Sequence, residues 1–241
     1  MTTYQIIKRV FDVFFSSLLL VILSPLLFAV AILILILEGR PVFYKSRRHS
    51  DVQKIITVYK FRTMVKDAKS PKYDLHRRYM RSGYLDIPLT CEVFTPIGRW
   101  IERTQIVEIP QLFNVIAGQM SLIGNRPLPA ENVELLKAHD KWQTRFDSPA
   151  GISGIAQVVG KLNLEPAERL AFEASYSNVY RNGNILKCDW LIFLHTVRTV
   201  VLAGSLPAER AHRLLRSALT SSVAISQSPS PALSRSKTAA S

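Results

Sequence analysis

The feature that most constrains this chain is an apolar run from Val13 to Leu37, broken only by Ser16, Ser17 and the pair Ser24-Pro25. At about 1.5 Å per helical residue the run reaches roughly 37 Å, enough for a hydrocarbon core of about 30 Å, so it places the protein in a membrane. Pro25 removes one backbone donor and crowds the preceding turn, while Ser24 can bond a freed carbonyl, which marks Ser24-Pro25 as the expected break. Cations flank both ends: Lys8 and Arg9 before the run, Arg40, Lys45, Arg47 and Arg48 after it. Positive flanks prefer the cytoplasmic face, so two of them suit a re-entrant helix-break-helix, with a kinked span as the alternative. The run is too long for a cleaved signal peptide, and no small-x-small site follows it.

Lys+Arg 31 against Asp+Glu 18 gives a net charge of +13. Beside a bilayer anchor this excess points to membrane lipids and phosphorylated substrates. Nucleic acid is not an expected partner, because no recognition helix or aromatic stacking motif accompanies the charge. Cys91 and Cys188 form neither a metal spacing nor a disulfide framework.

Three regions are expected: an anchor over 1–38, a domain over 39–205 with interfacial helices, and a C-terminal tail over 206–241 that is basic and then, from about Ser221, disordered for lack of large apolar side chains. The β-branched and aromatic stretch Lys54 to Arg62 reads as a strand, with Lys60 and Arg62 on one face. Pro110 suits the first turn of a helix ending at Gly118, with Glu108 just before it. Gln119 to Gly124 reads as a buried strand or turn. Helices are expected over Ala130 to Phe146 and Glu165 to Arg181, and Ile185 to Ala203 reads as an interfacial or packed helix.

Phosphate-loop, dinucleotide, serine-elbow and zinc signatures are absent. What remains is a group of cations and one well-placed acid. Lys60, Arg62, Arg99 and Arg126 are the candidate phosphate-binding residues. Glu108, at a helix start, is the candidate catalytic acid; with a diphosphate it also suits magnesium, which takes one or two carboxylates plus substrate phosphates. Taken singly, each is equally an ordinary solvated charge.

Together the segments resemble the bacterial sugar transferases of the monotopic phosphoglycosyl transferase type. The resemblance rests on Lys8-Arg-Val-Phe-Asp12, Ser24-Pro25, Pro41-Val-Phe-Tyr44, Tyr59-Lys-Phe-Arg-Thr-Met64 and Thr95 through Thr104. It continues through Glu108-Ile-Pro-Gln-Leu-Phe-Asn-Val115, Met120-Ser-Leu-Ile-Gly124, Arg126-Pro127, Gly151 to Gln157, and Tyr176 to Thr196. It implies a small mixed, helix-rich α/β domain, membrane-associated, with an N-terminal re-entrant helix hairpin broken at Ser24-Pro25. The implied reaction transfers a sugar-1-phosphate from a UDP-sugar to membrane polyprenol phosphate, with Mg2+. The implied location is the bacterial inner membrane, facing the cytoplasm, and glycan-pathway enzymes are implied partners.

The family uses an adjacent Asp-Glu pair whose aspartate attacks phosphorus. Here Val107 holds the aspartate's position and Asn125 the place of the first proline in Pro-Arg-Pro. Glu108 as nucleophile, direct attack by the polyprenol phosphate, and a non-catalytic relative that binds nucleotide sugar or scaffolds the pathway are the three outcomes this leaves open.

Overall fold

The computed structural model describes residues 2–81, 84–160, 164–202 and 205–226. The N-terminal helix α1 (Thr3–Glu38) starts at Thr2, whose side chain and that of Gln5 cap each other's backbone N–H groups. Its helical pattern continues through Pro25, where Ser24 Oγ donates to the Val21 carbonyl at 2.8 Å. Ser24-Pro25 is therefore a point within one helix, and the secondary structure does not break there.

Only Lys8, Asp12 and Ser16 near one end and Val30 and Ile34 near the other are buried on α1. No residue from 17 to 29 is buried. Both ends dock on the same body. Lys8 donates to the Ile123 carbonyl at 2.9 Å and pairs with Asp189, while Arg62 donates to Glu38 at 3.3 Å.

An antiparallel hairpin follows, β1 (Phe43–His49) with β2 (Ile55–Phe61), in the register Tyr44 opposite Lys60, Ser46 opposite Val58 and Arg48 opposite Ile56. The segment after it holds a short 3-10 turn, α2 (Leu75–Tyr79) and the two-residue pieces β3 (Met80–Arg81) and β4 (Tyr84–Leu85). Helix α3 (Pro96–Arg103) is capped by the Thr95 hydroxyl, which accepts from Gly98 N at 3.0 Å. A 3-10 stretch, Ile106–Gln111, runs directly into α4 (Leu112–Ile116), so Pro110 lies inside the stretch and Glu108 sits in its first turn. Gly118, with φ +75°, ends α4 as expected; a side chain there would also meet Arg9 Nη2 at 3.4 Å.

Strand β5 (Ser121–Ile123) pairs in parallel with β6 (Gly151–Ser153), and Gly124 and Gly151 let the two backbones pass where a Cβ on Gly151 would lie 2.1 Å from Gly124 N. Between them, the helix expected over Ala130 to Phe146 divides. Helix α5 covers Ala130–Leu136, Lys141 turns left-handed at φ 54°, and a 3-10 stretch, Trp142–Asp147, follows. The break puts Arg145 at 1% exposure into the interior, which a continuous helix would not do.

Helices α6 (Ile155–Gly160), α7 (Pro166–Asn182) and α8 (Ile185–Leu202) close the domain. On α8, Ile185, Cys188 and Ile192 are buried, a three- and four-residue spacing that makes one packed face. Trp190, Phe193, Leu194 and Val197 stay exposed on the other. The fold runs past the expected boundary at 205. Helix α9 (Ala208–Ser226) buries Ala211, Leu214, Leu215 and Ala218 against Val158, Phe172, Tyr176 and Val179, so residues 221–226, expected as disordered, extend a packed helix. The remainder of the expected tail lies outside the described residues.

The architecture is the mixed, helix-rich one expected, with strands confined, among the described residues, to three two-stranded pieces. Because α9 completes the largest core cluster, Leu215→Ala should lower unfolding stability by about 2–5 kcal/mol, the usual cost of truncating a buried leucine. A thermal melt of the detergent-purified protein checks this; an unchanged midpoint would show that α9 is a passive appendage.

Candidate active site

Glu108 is brought to the side chains of Lys60 and Arg126 by three separate elements. Lys60 lies near the end of β2, whose backbone is tied to α4 by Asn114: its Oδ1 accepts from Tyr59 N at 3.3 Å and its Nδ2 donates to the Thr57 carbonyl at 2.7 Å. Glu108 is thereby held one 3-10 turn ahead of an anchored helix. Lys60 Nζ donates to Glu108 Oε1 at 2.8 Å, Arg126 Nη1 donates to Oε2 at 3.2 Å, and Arg126 Nη2 also donates to Oε1. The three side chains are 15–25% exposed, so the cluster opens to solvent on one side.

Burial by itself would raise the Glu108 carboxyl, but the charges of Arg126 and Lys60 outweigh it and hold the group well below the usual carboxylate range. Glu108 in turn raises Arg126. Lys60 is lowered from its ordinary value, first by burial and further by Arg126, although Glu108 opposes both; it is the less firmly charged of the two cations.

Arg126 is positioned from behind. Its carbonyl accepts from Arg145 Nη2 at 2.9 Å, and Arg145 Nε bonds Glu173 at 2.7 Å, which also accepts from Arg169 at 3.2 Å. Asn125 donates its amide to the carbonyls of Arg145 at 2.8 Å and Glu173 at 2.9 Å. On the other side His49 and Leu128 exchange backbone hydrogen bonds, fastening the end of β1 to the same loop. Asn125 is thus a buried cross-tie beside Arg126.

Arg62 and Arg99 do not join this cluster. Arg62 follows the end of β2 and turns to the C-terminal end of α1, donating to the carbonyls of Glu38 at 3.1 Å and Gly39 at 3.0 Å and to the Glu38 carboxylate. Arg99 is exposed on α3. Its neighbour Glu102 comes nearer: it accepts from the Thr63 hydroxyl at 2.9 Å and acts electrostatically on both Lys60 and Arg126. Asn114, Arg145 and Glu173 were not among the residues singled out in the sequence, since their partners lie far off in the chain and no local spacing announces them.

Val107 is 2% exposed and belongs to an apolar cluster with Val30 and Ile34 of α1, Phe61 and Ile101. The residue beside Glu108 therefore faces the anchor. For a magnesium ion the donor set does not fit as it stands, because the one carboxylate of the cluster already accepts from two cations. A metal there would compete with Lys60 and Arg126 for the Glu108 carboxylate.

Residues 3–203 match the family model described as bacterial sugar transferase. The chain belongs to the bacterial sugar transferase family. It is 29% identical over 208 residues to the exopolysaccharide production protein ExoY of Sinorhizobium fredii, covering 81% of this chain and 86% of that one. It is 38% identical over 157 residues to the undecaprenyl-phosphate glucose phosphotransferase of Komagataeibacter xylinus, covering 64% of this chain and 28% of that one. With the undecaprenyl-phosphate galactose phosphotransferase of Salmonella typhimurium it shares 31% over 201 residues, 82% of this chain and 41% of that one. The chain thus spans most of the first relative and less than half the length of the other two.

The depressed carboxyl of Glu108 fixes the sign of a pH effect. A group whose folded value lies below its unfolded one stabilises the fold above the ordinary carboxylate value, about 4.3, and that stabilisation is lost as pH falls toward the folded value. Glu108→Gln should therefore be less stable than the native chain by about 1–3 kcal/mol at pH 7, the range for hydrogen bonds to charged groups. The gap should stay level down to about pH 5 and narrow below about pH 4. Denaturant unfolding at pH 7, 5 and 3.5 checks it; a gap that widens in acid would contradict the assigned pairing.

Proposed function

We propose that the protein transfers a sugar-1-phosphate from a UDP-sugar to polyprenol phosphate in the membrane, in the synthesis of an exopolysaccharide or glycoconjugate. The observation that carries this reading is the Glu108–Lys60–Arg126 cluster, a partly open site in which two cations from different elements are held close together by one carboxylate. Lys60 has three donors and uses one on Glu108, and Arg126 is an arginine fork, so both retain capacity for phosphate oxygens.

In this reading Glu108 is a positioning group for the two cations. Both of its oxygens already accept hydrogen bonds, and Val107 turns into the apolar cluster, which favours direct displacement over a covalent enzyme intermediate. An oxygen of the polyprenol phosphate attacks the sugar-bearing phosphorus of the UDP-sugar. A P–O bond forms there as the bond to the bridging oxygen breaks, and that oxygen leaves with the electron pair as UMP. Lys60 and Arg126 offset the charge that gathers on the phosphoryl oxygens and the leaving group.

For the anchor we adopt the re-entrant arrangement, with the N-terminus and the domain both on the cytoplasmic side of the inner membrane. Its support is that both ends of α1 bond the same domain while no residue from 17 to 29, more than three turns, is fully buried. Contacts from both ends of α1 to one domain support an arrangement with both ends on one side. Membrane lipids then surround the exposed middle of α1, and the exposed Trp190, Phe193 and Leu194 suit the headgroup boundary. Enzymes acting later on the same glycan are the partners this reading adds.

The rival is a non-catalytic family member that binds the nucleotide sugar, and the apolar surroundings of Val107 favour it. Purified protein with polyprenol phosphate and a panel of UDP-sugars, scored for UMP release, decides between them. Activity is expected, with initial-rate lines that intersect as direct displacement requires; parallel lines would indicate a covalent route. Glu108→Gln should reduce transfer at least about a hundredfold, comparable to losing a principal transition-state contact. Val107→Asp should lower folded yield sharply, because it puts a carboxylate among apolar side chains. Well-folded native protein that releases no UMP with any donor establishes the scaffold reading instead.

The topology is tested by single reporter cysteines at Thr3 and Asp51, both exposed, in the native background, where Cys91 and Cys188 are buried and shielded from reagent. Neither reporter should react with an impermeant reagent in intact cells, and both should react after permeabilisation. Labelling at Thr3 alone in intact cells would establish a span.

A further inference from the structure

We infer that Arg48 is a third anion-binding residue of the Glu108 site, taking a phosphate oxygen of the diphosphate donor beside Lys60 and Arg126. The inference rests on the transferase reading above and assigns that site a residue the sequence offered only as a membrane-flanking charge.

Three observations converge on it. The first is register. In an antiparallel pair, directly opposed side chains share a face and alternate residues return to it. Tyr44, opposite Lys60, and Arg48, opposite Ile56, are four apart on β1, so Arg48 and Lys60 project from the same face of the hairpin. Arg47 projects from the other.

The second is proximity to the cluster. The loop carrying Arg126 is joined to β1 immediately after Arg48, through the paired backbones of His49 and Leu128. Arg126 and Glu108 both act on Arg48 electrostatically, as do Tyr44 and Glu131.

The third is the state of the guanidinium. Arg48 is half-buried, and among the described residues its side chain donates from Nε to Ser46 Oγ at 2.8 Å, an interaction that aims the group and neutralises nothing. Lys60 and Arg126 share Glu108, whereas Arg48 forms no salt bridge with a described carboxylate. Burial and then the charge of Arg126 hold Arg48 below the ordinary arginine value, with Tyr44, Glu131 and Glu108 only partly opposing them; a bound anion would favour the charged form. Glu108 is the carboxylate paired directly with Lys60 and Arg126, while Glu102 and Glu131 act on the three cations only at longer range, so Arg48 keeps its guanidinium donors available to an anion. A diphosphate is the ligand class that matches several neighbouring cations, and an arginine fork binds phosphate oxygens in pairs.

The test is calorimetric titration of inorganic diphosphate into the full chain in lipid nanodiscs at fixed ionic strength. The native protein should bind. Arg48→Gln should weaken binding at least about tenfold, the lower end of what a charge-assisted hydrogen bond contributes. Arg47→Gln, a neighbouring exposed cation on the opposite face, should change it less than about threefold, a general-charge effect only. Arg48→Lys keeps the charge without the fork and should fall between native and Arg48→Gln. It also serves if Arg48→Gln fails to fold, since a well-folded Arg48→Lys with native affinity would overturn the inference. Native-like binding by folded Arg48→Gln, or equal losses in Arg47→Gln and Arg48→Gln, overturns the assignment of Arg48 and leaves the transferase reading standing. A native protein that binds no diphosphate overturns both.

Discussion

The anchor is held by polar contacts, and the rest of the structure depends on that. An apolar helix in lipid has no hydrophobic reason to prefer protein over acyl chains, so apolar packing alone would leave its placement undetermined. Here Lys8 reaches Asp189 and the Ile123 carbonyl, and Asp12 accepts from Ser121 Oγ at 2.7 Å and Leu122 N at 3.1 Å. Tyr176 OH adds a hydrogen bond to Asp189 at 2.7 Å. At the far end Glu38 meets Arg62. Each contact has a buried partner that would lose a hydrogen bond if the helix slid or rotated, and that penalty gives the helix a single docking position.

The same economy of contacts orders the site. Lys60, Glu108 and Arg126 are 48 and 18 residues apart in the chain, yet one carboxylate gathers all three. Behind them the buried set Arg145, Glu173 and Asn125 fixes the carbonyl side of Arg126, so the guanidinium is carried on a braced loop. Preorganised cations of this kind need little rearrangement as charge shifts during phosphoryl transfer.

Much of this was legible in the sequence where the signal is local. The length and purity of the apolar run gave α1, β-branched periodicity gave β2, and Pro110 with Gly118 bracketed the helical stretch after Glu108. Residue type and family motif mark Lys60, Glu108 and Arg126, and the three side chains do meet. Arg62 was misplaced by assuming the strand ran one residue further; leaving the strand let it turn to the end of α1. The division of the 130–147 region escaped notice because Lys141 adopts a left-handed turn that lysine does not advertise, and the burial of Arg145 depends on Glu173, 28 residues away. Helix α9 was underestimated because alanine and well-spaced leucines bury a face without looking strongly apolar.

One feature of the anchor reaches further than docking. Arg9 donates to the last carbonyls of α4, to Val115 at 2.7 Å and Ile116 at 3.1 Å, while Val107 at the other end of the same helical stretch packs in the cluster with Val30 and Ile34. The eleven residues Ile106–Ile116 that carry Glu108 are thus gripped at both termini by a helix long and apolar enough to cross a membrane. Insertion and site assembly become one thermodynamic event. A copy of the chain with its anchor undocked would have an uncapped, half-unpacked Glu108 segment, so the cations are gathered only where the anchor is in place.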